Sequence, residues 1–238
     1  MRLSGFREDL PALKRFWSAC TSQEGLVLLF ATVIFVTRRT VHQARWTADL
    51  LEAISPILAD SEIRLRIGGV VFWGLVPLLL VLLVHRKSLL DFGLRLPKAR
   101  WFVFSIVYLV VVHPVNFAYA QSPEILERYP LYEPARDGGT DFWIYQALVA
   151  AAMVGWEFLL RGYMLFGLEK RLGALAIFVP LIPFVMLHYG YPTPELYFSI
   201  LDGIFLSLLA WVSRSIWPCV VIHILQNLLW EIEVVYLF

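Results

Sequence analysis

Residues 143–166 read WIYQALVAAAMVGWEFLLRGYMLF. The stretch is apolar over the ~20 residues that a helix needs to cross a bilayer, yet it carries Glu157 and Arg161. Residues four apart on a helix lie on one face, a turn apart. Ionisable groups are costly in hydrocarbon and turn toward a partner or a wet cavity. The stretch therefore predicts a membrane helix that presents a carboxylate and a guanidinium to the interior of a bundle. Taken alone, the pair is either a self-neutralising structural ion pair or a carboxylate held ionised by an arginine and ready to take a proton from water.

Two later apolar stretches have the same character. PLIPFVMLH at 180–188 ends on His188, with Phe184 one turn before it as a support for the ring or a wall of a pocket. VVIHILQNLLW at 220–230 puts His223 and Asn227 on one face, with Gln226 beside it. These two side chains are either polar glue between helices or donors aimed at negative charge developing on a carbonyl oxygen. Asp202 in SILDGIFLS, and Glu231 and Glu233 on the last helix, are further acids at membrane depth or at a helix end. His42, His85 and His113 look peripheral. Taken together, an acid, an arginine, two imidazoles and a carboxamide supply what hydrolysis of an acyl bond needs: a base for water, donors for the oxyanion and an acid for the leaving amine.

Composition agrees with a membrane setting. Of the 238 residues, 59% are hydrophobic and 16% charged, against ~25% charged in an ordinary soluble domain, and mean hydropathy is +0.69. A formal net charge of +1 gives no basic face for nucleic acid. Cys20 and Cys219 stand far apart and read as two small apolar side chains rather than a disulfide or a metal site. The opening MRLSGFREDLPALKRFW leads into a span closed by Arg38 and Arg39, which reads as a first membrane helix rather than a removed signal peptide.

Spans are expected near 24–38, 68–85, 102–120, 143–166, 174–190, 195–213 and 216–238. Segment 40–67, rich in charge but with helix-like apolar spacing, suggests an amphipathic helix at the interface or an eighth span. The fold expected is all-α: a polytopic bundle of about seven to eight transmembrane helices enclosing a polar chamber, in one integral membrane domain over 1–238. The basic loop HRKSLLDFGLRLPKAR (85–100) suits the cytoplasmic face and the acidic QSPEILERYPLYEPARDGGTD (121–141) the opposite one.

In order, spacing and membrane context, WEFLLRGYMLFGL (156–168), FVMLH (184–188) and HILQN (223–227) resemble the CPBP family of intramembrane proteases, which includes CAAX proteases and bacteriocin-processing (Abi) enzymes. DFGLRLPK (91–98) is also similar, so the resemblance extends over a core of 91–238, with 1–67 as first span plus interfacial segment. The family pattern is Glu-Glu-x-x-x-Arg, then Phe-x-x-x-His, then His-x-x-x-Asn. It implies cleavage of a membrane-associated protein or peptide near its C-terminus, lipidated in eukaryotic relatives. The implied catalytic set is Glu157, His188, His223 and Asn227, with Arg161, Phe184 and Trp156 in support, and the expected setting is a bacterial inner membrane.

At one position the chain departs from the pattern. The glutamate that the family uses to activate water is Trp156 here, and Glu157 matches the second. Neighbouring helical residues point ~100° apart, so Glu157 does not simply replace the first. Three outcomes stand: Glu157 is the base with His188; Asp202 or Glu231 supplies the acid; or proteolysis is lost and a substrate-binding pseudoprotease remains. Water activation by a Glu/His pair without a cofactor is the leading mechanism. The alternative is zinc on His188, His223 and Glu157, which lacks the spacing of the zincins. A small transporter is a third class, but no inverted repeat is visible.

Overall fold

The computed structural model describes residues 4–238, with side-chain surroundings from Pro11 onward. Eleven helices and no strand occur among the described residues. The first four are α1 (Ser4–Cys20), α2 (Gln23–Gln43), α3 (Arg45–Glu52) and α4 (Pro56–Ala59). They are followed by α5 (Ser61–Val84), α6 (Ala99–Ala120), α7 (Pro123–Arg128) and α8 (Gly139–Ile177). The last three are α9 (Leu181–Met186), α10 (Thr193–Ser213) and α11 (Trp217–Tyr236). Six of them, α2, α5, α6, α8, α10 and α11, are long and apolar enough to cross a membrane. The chain is a polytopic helical membrane protein.

Local signals set the boundaries. Ser22 caps α2, its hydroxyl accepting from the Gly25 N–H at 3.1 Å. Asp60 caps α5, its carboxylate accepting from the N–H groups of Glu62 and Ile63. Both satisfy donors that a helix start leaves open. On α6, Val110 and Val111 are 67% and 69% exposed, and such an apolar flank belongs against acyl chains.

Two expectations change. Residues 174–190 do not form a seventh span. Gly173 turns the chain at φ +56, Pro180 and Pro183 follow, and only the six residues of α9 resume the helix. Proline in a helix interior removes a backbone donor and clashes with the preceding turn. Segment 40–67 does not form one amphipathic helix either. It divides into α3, α4 and the charged first turns of α5.

The centre of the bundle is α8, where every residue from Glu157 through Leu168 is buried. α5 crosses it closely: a Cβ added to Gly155 would lie 2.9 Å from both Gly69 O and Gly74 N. Small residues at such a crossing let two backbones touch inside a membrane. The loop after α5 also packs on α8. Phe92 is buried, and the Gly93 carbonyl accepts from Ile216 N at 3.0 Å, tying the loop to the start of α11.

Gly155→Val should destabilise the protein by about 1–3 kcal/mol through overpacking, read as a lower thermal midpoint of the purified protein. A midpoint equal to wild type would show that the crossing is looser than the backbone distances require.

Candidate active site

Glu157 stands where α8 leaves α-helical geometry. From Phe158 to Met164 the helix widens into π-helical turns, with Leu165 N–H donating to Leu160 O. Such widened turns are uncommon and recur at functional sites. Glu157 and Arg161 are both 0% exposed, and Arg161 Nη1 donates to Glu157 Oε1 at 3.0 Å. The same oxygen receives His223 Nδ1 from α11 at 2.8 Å. The Arg161 guanidinium also lies 4.3 Å above the Phe184 ring of α9, a cation–π contact. One buried carboxylate thus connects α8 to α11, and its arginine connects α8 to α9.

The two imidazoles are held alike. His188 Nδ1 is 2.8 Å from the Phe184 carbonyl. A carbonyl only accepts, so Nδ1 carries the proton in that bond, and the neutral ring keeps its lone pair on Nε2. His223 faces an acceptor-only carboxylate at Nδ1, with the same consequence. Tyr191, outside the spans, closes the other side of His188 at 5.7 Å between rings, and burial pushes its hydroxyl above the usual phenol range.

Trp156 lies between the two histidines. Its indole is edge-on to His223 at 5.8 Å and to His188 at 6.1 Å, with interplanar angles of 88° and 84°. It also meets Phe184 at 5.8 Å and Trp73 of α5 at 4.7 Å. Trp156 Nε1, Glu157 Oε2, Arg161 Nε and Nη2, and Asn227 Nδ2 are buried without a hydrogen-bond partner. Buried polar atoms are nearly always paired, so this concentration of open donors and acceptors marks a place for water or a polar guest.

The structure therefore brings together Trp156, Glu157, Arg161, Phe184, His188 and His223, with Asn227 one turn beyond His223. The carboxylate pairs with His223 rather than with the expected His188. The candidate substitute acids are engaged elsewhere. Asp202 accepts from Tyr108 Oη at 2.7 Å, and Glu231 accepts from Gln146 Nε2 at 2.6 Å. Glu233 faces His113 at 3.2 Å, and His85 reaches Tyr163 Oη at 3.0 Å. Gln226 makes no hydrogen bond with the cluster. Trp73 and Gln146 escape a sequence reading, because Trp73 stands in a wholly apolar run and Gln146 is uncharged and far from any motif.

The zinc alternative would draw on His188, His223 and Glu157. Among the described residues no three His, Cys, Asp or Glu side chains converge as a ligand set.

Residues 138–229 match the family model described as type II CAAX prenyl endopeptidase Rce1-like. Over this stretch the chain is similar to that family. The stretch contains every residue of the cluster from Trp156 to Asn227 and supports the kinship with CAAX proteases read from the sequence; the DFGLRLPK loop lies before it. No curated protein and no solved structure matches the chain. In general terms, this similarity supports a CAAX-type intramembrane endopeptidase.

Arg161→Met should cost about 3–5 kcal/mol, because it leaves a buried carboxylate uncompensated. Glu157→Leu combined with Arg161→Met should restore much of that loss. Chemical unfolding of the single and double variants checks both. Additive losses would show that the two charges do not compensate one another.

Proposed function

We propose that the chain is a membrane-embedded endopeptidase that cleaves a membrane-associated protein or peptide near its C-terminus, with His223 as the general base and Glu157 as the residue that orients it. The observation that carries this reading is the 2.8 Å contact between His223 Nδ1 and a fully buried carboxylate. A carboxylate in that position fixes the tautomer and stabilises the imidazolium once a proton is taken. His223 Nε2 then removes a proton from water, and the hydroxide attacks the scissile carbonyl. Asn227 Nδ2, buried and unpartnered, donates to the oxyanion. The proton returns to the leaving amine from His223. Arg161 keeps Glu157 ionised. No step runs through a metal. A lipidated tail is the substrate class that the description of the matched family supports.

A second reading rests on one specific observation. Trp156 occupies the place of the family's first acid, edge-on to both imidazoles. In this reading the chamber binds the same tails without cutting them.

Purified protein in proteoliposomes, assayed on a prenylated C-terminal peptide, separates the two readings. Under the protease reading wild type cleaves the peptide. His223→Ala then loses about 10²–10⁴ in rate, the range of general acid–base catalysis, and Asn227→Ala about 10²–10³, as for one oxyanion donor. Unchanged rates in both would end that assignment. An inert wild type that gains cleavage on Trp156→Glu would establish the binding reading instead.

A further inference from the structure

Outside the stretch 138–229, a groove of about 230 Å³ lies between the end of α2, the short helix α3 and the first turns of α5. Val41, Leu51 and Phe72 contribute to its apolar wall, and Arg38, His42 and Arg64 line it as well. Arg38 Nη2 donates to Leu65 O at 3.0 Å and Arg64 Nη1 to Ala59 O at 2.8 Å. Among the described residues neither guanidinium has a carboxylate partner. The nearby acids are already committed. Glu62 pairs with Arg66 at 3.4 Å, and Asp60 caps α5. Asp49 and Glu52 of α3 are exposed and do not line the groove. Arg38 Nε, Arg64 Nε and His42 Nδ1 are buried with no hydrogen-bond partner.

The placement adds to the chemistry. Arg38 stands in the last turns of a span, where hydrocarbon gives way to headgroups, and Arg39 follows it. Trp46 and Leu50, also on the groove, are 61% and 58% exposed, so α3 offers an apolar flank at the same level. A basic pocket between membrane helices is the setting in which anionic headgroups are held. The volume is below the ~300–1,000 Å³ of sites that enclose a drug-sized ligand, so the groove takes one chain lying along it rather than a whole molecule.

We propose that this groove binds an anionic phospholipid of the surrounding bilayer. An acyl chain lies on the Val41, Leu51 and Phe72 wall, and the phosphate is held by the guanidinium groups of Arg38 and Arg64, a charge-assisted contact that Arg geometry favours. Charge complementarity selects this occupant, since two guanidinium groups without a carboxylate partner among the described residues, one of them also seated on Trp73, fit beside an apolar wall an amphiphile with a negative head. The proposal is independent of catalysis.

Native mass spectrometry of the full chain tests it, after equilibration with phosphatidylglycerol or phosphatidylcholine of identical chains. Phosphatidylglycerol should be retained at least about tenfold better, as two basic side chains near an anionic head supply. The double variant Arg38→Gln/Arg64→Gln should abolish that preference. Gly68→Leu provides a second arm. Gly68 lines the groove, and a Cβ there has only the Arg38 side chain within 4 Å, at 3.8 Å. The leucine therefore enters the groove with both arginines intact and should lower retention of both lipids. Arg95→Gln/Arg100→Gln, on exposed positions far along the chain, should change nothing. Equal retention of the two lipids by wild type overturns the proposal. So does a loss in the Arg95/Arg100 control as large as in the Arg38/Arg64 variant, or undiminished retention in Gly68→Leu.

Discussion

A carboxylate with no exposure inside a membrane bundle has to be compensated where it stands, and the arrangement around Glu157 follows from that requirement. Arg161 compensates it from the same helix and His223 from another. Because Arg161 is itself fully buried, its flat guanidinium face rests on Phe184, which draws the six-residue α9 onto α8. Removing either charge leaves the other stranded in a low dielectric, where an unpaired ion costs several kcal/mol. Two stretches of chain thus meet at one oxygen atom and a third joins them through Arg161, by electrostatics rather than by apolar packing, which in lipid gives little preference for one helix face over another.

The neighbouring position shows how a single substitution redistributes chemistry. Successive residues on a helix diverge by ~100°, so residues 156 and 157 address different partners. Glu157 turns to Arg161 and His223, while Trp156 projects between His223 and His188. The indole keeps the two imidazoles apart and supplies apolar contact where the related pattern supplies charge. A site built this way loses its most direct acceptor for a proton from water. It keeps two histidines, each with one nitrogen occupied and the other open, and an orphaned carboxamide beside them.

Much of this was legible in the chain. Charge inside long apolar stretches identified the membrane helices, and helical spacing brought out Glu157 with Arg161 and His223 with Asn227. Residues 174–190 misled because hydropathy counts apolar side chains and is blind to backbone geometry. Gly173 and two prolines decide that segment. The partner of Glu157 was equally hidden, since which of two histidines reaches a given oxygen depends on how α11 and α9 rotate against α8. The edge-to-face contact of Trp73 with Trp156, and the seat of Arg38 on Trp73 at 3.7 Å, join residues on three helices, and no periodicity within one stretch reports them. The aromatic chain is nonetheless the physical connection between the groove at α2 and the histidines.

The crossing of α5 and α8 has a mechanical consequence. Where Gly155 meets Gly69 and Gly74, backbone lies against backbone, and the Trp73 ring borders the contact. A seam of this kind leaves little room for a larger residue. By contrast, α9 is a single short piece between Pro180 and the turn at Gly190, φ +90. His188 follows it. The seam is held by backbone contact, and the short piece before His188 by the seat of Arg161 on Phe184.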